Sequence, residues 1–173
     1  DVMDSDANAG LPVPAVSSQD NGNNPNWLFG AVSANWLGTS GTNFNTAANW
    51  SSGVVPDAST RVVVDSANPM TITGAVSLLD LAVGGSTGAA VVTVNGALTV
   101  AENISVLSNG TLVLNRPTVV SNDVNVWTGG TLTHSANVST EANKLDLTVL
   151  GDMRVDVNGA VDVTGKGYAT GTG

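Results

Sequence analysis

The sequence contains no cysteine, few aromatic residues (4%) and few charged residues (11%). The absence of cysteine excludes disulfides and thiolate metal sites. Five Lys and Arg against 14 Asp and Glu give a formal net charge of −9, which argues against nucleic acid and against an anionic membrane surface as partners. No apolar run approaches the roughly 18 residues of a membrane-spanning helix, so membrane insertion of this segment is not expected.

What the sequence does contain is small and branched apolar residues together with many turn formers. Hydrophobic residues make up 42% of the 173 positions although aromatics are scarce, and there are 20 glycines. Such side chains suit pleated sheets, whereas no stretch shows a clear helical period. The length suits one domain with a substantial core.

Four phrases in the second half of the chain nearly repeat. Each begins with a turn-forming pair, continues with a small residue and ends, with exceptions at Val113 and His134, with an apolar, polar, apolar triplet: 95–100, 109–114, 129–134 and 158–163. The glycines at the second position of successive phrases are 14, 20 and 29 residues apart. The pattern predicts a turn followed by a half-buried strand, with extra residues looping out of one face.

The alternation predicts thirteen short strands and therefore an all-β domain. They are 61–65, 70–73, 78–83, 90–94, 97–100, 104–107, 111–114, 118–120, 124–127, 131–134, 145–149, 153–157 and 160–163. Because the phrases repeat in one direction, a parallel β-helix (β-solenoid) is favoured. An antiparallel β-sandwich stays open, since Asn-Gly is also a strong hairpin signal.

The composition divides the chain into three parts. Residues 1–26 are predicted to form a flexible or donated N-terminal arm, 27–60 an N-terminal cap, and 61–173 the solenoid coils, as a segment of a longer protein. The arm is held extended by prolines and carries apolar Leu11, Val13 and Val16. A strand of this kind can be donated to a neighbouring copy, so head-to-tail self-association into a filament is expected.

Three tryptophans fall close together, at Trp27, Trp36 and Trp50. One interpretation is a carbohydrate-binding platform, because indole rings stack on sugar rings. The favoured interpretation is a plug that covers the open end of a stack of small side chains, since the first coil of a solenoid has no neighbour.

These residues carry a family resemblance. Trp36, then Asn49-Trp50 with Gly53 and Pro56, followed by the strand Arg61–Val64 and glycine-punctuated coils, resembles exported bacterial β-helix proteins such as autotransporter passengers and surface adhesins. The resemblance covers about residues 27–173. It implies a right-handed parallel β-helix that is extracellular or at the cell surface, with other copies or host and matrix glycans as partners.

Two groups of acidic residues are candidate calcium ligands, the only cofactor that the sequence suggests. Asp4, Asp6 and Asn8 alternate oxygen ligands as calcium loops do, although the expected acidic residue at the end of the loop is missing. Asp146, Asp156 and Asp162 each stand between apolar residues, so their carboxylates are predicted to point outward, where neighbouring coils could share an ion. With Arg154 as proton acceptor, this group resembles the acidic, calcium-assisted face of β-helical polysaccharide lyases.

Catalytic signals are otherwise weak. The single histidine, His134, takes the place of Val or Leu in the repeated phrase and is predicted to face the core or to end a strand. No nucleophile elbow or phosphate-binding loop is present. The sequence therefore favours a non-enzymatic, extracellular structural or adhesive module, with a polysaccharide-binding or lyase-like domain as the alternative.

Overall fold

The computed structural model describes residues 13–15, 27–29 and 32–167. This part of the chain contains 17 strands and one short 3-10 helix, Ala47–Asn49. A separate pair is formed by β1 (Val13–Ala15) and β2 (Trp27–Phe29), which run parallel. The remaining strands form three parallel sheets.

Each complete coil contributes one strand to each sheet in turn, whereas β3 precedes the first complete coil and the last described coil has strands in sheets 1 and 2 alone. Sheet 1 contains β3 (Val32–Asn35), β4 (Thr60–Val64), β7 (Asp80–Val83), β10 (Ile104–Val106), β13 (Val124–Val126) and β16 (Met153–Val155). Sheet 2 contains β5 (Met70–Ile72), β8 (Ala90–Val94), β11 (Gly110–Leu114), β14 (Thr131–Thr133) and β17 (Ala160–Val161). Sheet 3 contains β6 (Val76–Leu78), β9 (Leu98–Val100), β12 (Thr118–Val120) and β15 (Leu147–Val149).

This arrangement is a β-solenoid, as the repeated phrases predicted. All pairs between the named strands are parallel, so the alternative of an antiparallel sandwich is wrong. The predicted single strand 78–83 is also wrong, because the chain passes from sheet 3 to sheet 1 at Leu79 and forms two strands.

The register of sheet 1 shows how the coils stack. Val62 pairs with Leu81, Leu81 with Ile104, Ile104 with Val124, and Val124 with Met153. Parallel neighbours of this kind lie about 4.8 Å apart, so equivalent residues form columns along the stack. The last interval is longer because residues 134–146 loop out between β14 and β15.

The interior of the stack is aliphatic. Inward positions alternate with outward ones along each strand, as in the buried, half-buried pattern of β4, β8 and β11. Leu81, Ile104 and Leu112 each have 0% exposure. The strands of the middle coils therefore bury one row of side chains each, and the coils are held together by hydrophobic packing and backbone ladders.

A polar column lies at the corner between sheets 2 and 3, and its central residue is buried. Asn115, which is 4% exposed, donates from Nδ2 to Asn95 Oδ1 at 2.8 Å and to Ser135 Oγ at 2.9 Å. The backbone amide of Ser135 donates to Asn115 Oδ1 at 2.7 Å. Buried amides are tolerated only with partners, and these bonds tie three successive coils at one corner.

Aromatic residues pack against the first complete coil. Trp36, Phe44 and Trp50 are buried at 1–3% exposure, and the ring centroids of Phe44 and Trp36 lie 5.2 and 5.0 Å from that of Trp50. The amide of Phe44 donates to the Thr71 carbonyl on β5 at 3.0 Å. Residues 36–50 thus lie over the edge of sheet 2.

The opposite end of the stack is uncovered in the described residues. Val155 pairs with buried Val126, and Val161 pairs with buried Leu132, so both point inward. Their exposures are nevertheless 46% and 40%. These side chains occupy core positions in the last coil that the structure describes.

Candidate functional site

A groove runs along the stack where the strands of sheet 1 end. Its volume is about 570 Å³. It is lined by Val63, Asp65, Gly84, Gly85, Ser86, Leu107, Ser108, Trp127, Thr128 and Asp156.

The groove follows from the register of sheet 1. Val64, Val83, Val106, Val126 and Val155 are successive inward residues, and the residue after each one points outward. The outward column is therefore Asp65, Gly84, Leu107, Trp127 and Asp156. The backbone of this column continues the hydrogen-bonded ladder of sheet 1. The last four residues of the column each donate a backbone amide hydrogen bond, 2.7–2.9 Å long, to the carbonyl of the inward valine one coil earlier.

Trp127 is the largest side chain in the groove and is half-buried. The Arg154 guanidinium carbon lies 4.9 Å from the centroid of its ring, within cation–π distance. Arg154 also contacts Asp156, with Nη2 3.2 Å from Oδ1. The ring orientation is thus constrained by a neighbour from the next coil.

At the other end of the groove, the Asp65 carboxylate accepts hydrogen bonds from the backbone amides of Ser86 at 3.2 Å and Thr87 at 3.0 Å. Hydrogen bonding to Thr87 holds the pKa of Asp65 below its usual value. A side chain at Gly85 would place its Cβ 2.6 Å from this carboxylate. The φ of Gly85, 153°, is also one that other residues rarely adopt, so glycine is favoured at that position, and it leaves part of the groove floor as bare backbone.

A second charged cluster lies at the start of the sheet 1 strands. Arg61 contacts Asp80 at 3.0 Å and Glu102 at 2.7 Å, so it joins residues from three coils. Burial raises the pKa of Asp80 despite the opposing effect of Arg61. These charges are paired with one another, and we assign them a structural role.

The tryptophans that were considered for sugar binding lie elsewhere. Trp36 and Trp50 are 3% and 2% exposed, and their indole nitrogens donate to the carbonyls of Asn68 at 2.9 Å and Phe44 at 2.8 Å. Neither ring offers an open face to a ligand, so the carbohydrate-platform interpretation is wrong for these two residues. The side chain of Trp27 lies outside the described part of the structure.

The late acidic residues do not form one cluster. Asp146 precedes β15 in sheet 3, Asp156 follows β16 in sheet 1, and Asp162 follows β17 in sheet 2. The expected column of carboxylates on neighbouring coils is therefore absent, because the three residues border different sheets. Among the described residues, no group of three acidic or histidine side chains is placed to hold a metal ion. Calcium binding at these positions remains a prediction.

Arg154, the proposed proton acceptor, is held by Trp127 and Asp156. His134 is 9% exposed, as the phrase alignment predicted, and its Nδ1 lies 2.8 Å from the Ser135 carbonyl. The structure therefore places the lone histidine at the edge of the core.

The predicted sites at the N-terminus are mostly outside the described residues. Asp4, Asp6 and Asn8 belong to this part, as do Leu11 and Val16. Val13 is in β1, where it pairs with Trp27 of the same chain. Donation of this arm to another copy remains a prediction.

Trp127 is the functional candidate that the sequence analysis missed. The other three tryptophans lie close together in the sequence, whereas Trp127 stands alone. The signal was available, because Val124 and Val126 alternate with Asn125, which places Trp127 on the outer surface of the strand.

Comparison of the chain with protein-family models, curated proteins and solved structures finds no match. Within the described residues, no helix combines the length and the apolar character needed to cross a membrane.

Proposed function

We propose that this chain is a non-enzymatic structural and adhesive β-solenoid module that acts outside the cell or at its surface and associates with further copies of itself. The observation that supports the proposal is the apolar surface on the last coil that the structure describes. Met153, Val155, Val161 and Val163 are 40–47% exposed there. Val124, Val126 and Leu132, which pair with the first three of these residues in the preceding coil, are at most 1% exposed.

The last coil offers two kinds of contact to a second copy. Its inward side chains present apolar surface, whose burial is favourable. Its strands are also edge strands within the described residues, with backbone groups able to extend the ladders. The end of a parallel stack is thus suited to continued stacking.

The charges near this end do not oppose association of like copies. Arg154 and Lys166 lie among Asp152, Asp156 and Asp162. Side chains of both charge signs permit ion pairs across an interface. The net charge of −9 is carried largely by the rest of the chain. Few charges and many Asn, Ser and Thr residues suit an exported protein that stays soluble.

Sedimentation velocity over a range of protein concentrations, with electron microscopy of the concentrated samples, tests the proposal. The wild-type chain is expected to associate as its concentration rises. The double variant Val155→Lys, Val161→Lys is expected to stay monomeric, because two buried ammonium groups would oppose contact between ends.

Val54→Lys is the matched control, since Val54 is 66% exposed and lies outside the last coil. This variant should associate like the wild type. A wild-type chain that stays monomeric at high concentration, or a double variant that associates normally, would contradict self-association.

Recognition of a polysaccharide is the second candidate function, and the groove beside Trp127 favours it. Its enzymatic form is a calcium-assisted lyase. Release of unsaturated products from an acidic polysaccharide, abolished by a chelator, would support that form.

A further inference from the structure

We propose that the groove beside Trp127 binds a neutral, linear glycan chain that lies along the solenoid axis. This inference extends the adhesive part of the proposed function by naming a ligand class. It uses surface residues of sheet 1, so it can be tested separately from contact between the ends of the stack.

The centre of the groove is apolar, and its indole ring, over which Arg154 lies, is partly exposed. Leu107 and Trp127 are neighbours in the outward column and are both half-buried. Gly84 of the column and Gly85 beside it also line the groove and carry no side chains. An apolar strip with an indole ring suits the C–H faces of pyranose rings, which are flat and carry their hydroxyls at the edges.

Polar groups border this strip on the side where the chain leaves the strands of sheet 1. The hydroxyl-bearing residues Ser86, Ser108 and Thr128 are exposed. The carboxylates of Asp65 and Asp156 stand at the two ends. Hydroxyl and carboxylate oxygens can accept the hydrogen bonds that sugar hydroxyl groups donate.

Several of these groups are already held in position. Ser108 Oγ donates to the Gly85 carbonyl at 3.1 Å, and Thr128 Oγ1 donates to the Val157 carbonyl at 2.7 Å. Asp65 is fixed by the amides of Ser86 and Thr87. Since these bonds connect neighbouring coils, binding would order few side chains, which lowers its entropic cost.

The length of the groove favours a chain over a single sugar. The outward column crosses five coils, which span roughly 19 Å at about 4.8 Å per step. A monosaccharide would contact only part of this column. An oligosaccharide lying along it would contact Trp127 and both carboxylate ends.

The charges favour a neutral ligand over an anionic one. Asp65 and Asp156 are both acidic, and the one basic side chain beside them, Arg154, is engaged by Trp127 and Asp156. An anionic glycan would be repelled by the carboxylate of Asp65, which is ionised at neutral pH and forms no ion pair among the described residues.

Isothermal titration calorimetry with hexamers of β-1,4-linked glucose and of β-1,4-linked mannose tests the proposal, with a hexamer of α-1,4-linked galacturonate as the anionic comparison. At least one neutral hexamer should bind with an affinity that changes little with salt, and the galacturonate should bind more weakly. Trp127→Ala should weaken binding about thirtyfold, as truncation of an aromatic residue at the centre of a binding site does.

Val119→Ala is the matched control, because Val119 is an exposed outward residue of sheet 3. It should bind like the wild type. Circular dichroism melting shows whether Trp127→Ala is folded. If it is not, Ser86→Arg provides the second test, since it leaves Trp127 in place and puts a long side chain into the groove.

The proposal is overturned if neither neutral hexamer binds, if galacturonate binds more tightly than both, or if folded Trp127→Ala and Ser86→Arg both keep the wild-type affinity. None of these results would affect the sedimentation experiment on the last coil. Failure of self-association would likewise leave the glycan titration unchanged.

Discussion

The two ends of the solenoid show the same inward alternation but differ in burial. At one end, Trp36, Phe44 and Trp50 are 1–3% exposed against the first complete coil. At the other, Val155 and Val161 continue the core columns and yet are 46% and 40% exposed. Alternation therefore determines the direction of a side chain, whereas burial depends on a neighbouring layer.

The first prediction tests whether the buried aromatic residues stabilise the covered end of the stack. We propose that residues 36–50 act as an end cap, in which case Trp50→Ala should lower the free energy of unfolding by about 3–5 kcal/mol. The variant loses the packing of the ring and its hydrogen bond to Phe44. Urea denaturation followed by circular dichroism measures the change.

Leu37→Ala is the control for this variant, because Leu37 is in the same segment but 42% exposed. Its effect should be small. An unchanged denaturation midpoint for Trp50→Ala would show that the ring does not stabilise the end of the stack.

The second prediction compares the interior with the uncovered end. Leu112→Ala, at a position with 0% exposure in a middle coil, should cost about 2–5 kcal/mol because it leaves a cavity. Val161→Ala, in the same sheet but 40% exposed, should cost about 0.5 kcal/mol or less in the monomer. Equal losses in dilute solution would mean that the last coil is as well packed as the interior.

The third and smallest effect concerns acid stability. The pKa values of Asp65 and Asp162 are both lowered, mainly by hydrogen bonds from Thr87 and from Thr164 respectively. A lowered folded-state pKa stabilises the protein above the unfolded value, near 3.8, and this contribution is lost as the pH falls through the folded value.

The two carboxylates differ in what they connect. The Asp65 carboxylate accepts a hydrogen bond from the backbone amide of Thr87 in the next coil. The Asp162 carboxylate accepts one from Thr164, which is only two residues further along the chain. Asp65→Asn should therefore reduce the loss of global stability on acidification, and Asp162→Asn should change it little, since the last coil opens first. Urea midpoints measured from pH 6 down to the acid limit of reversible unfolding would check this, and a larger effect of Asp162→Asn would contradict it.

The solenoid itself could be predicted from the sequence because its repeated phrase encodes both the turn and the alternation. Asn109 and Asn158, which begin two of the phrases, have positive φ angles of 59° and 62°, as a turn that starts a strand requires. The corner at Leu79 could not be predicted, since the apolar run from Leu78 to Val83 gives no sign that the chain changes sheets there.

The candidate groove was harder to predict than the fold. It depends on which residues of different coils share a column, and the intervals between coils vary along the chain. Only the register places Asp65 and Trp127 in one column, 62 positions apart. The error about Asp146, Asp156 and Asp162 has the same cause, since similar local patterns lie on three different sheets.

The loop between β14 and β15 has a consequence for how such a chain can vary. Residues 134–146 lengthen one coil, yet β15 resumes its pairing with β12 and β17 resumes its pairing with β14. The strand ladder thus does not depend on the number of residues at this corner. Loop length and strand sequence can therefore change independently, so insertions and deletions here can diversify the surface while the hydrogen-bonded frame keeps its register.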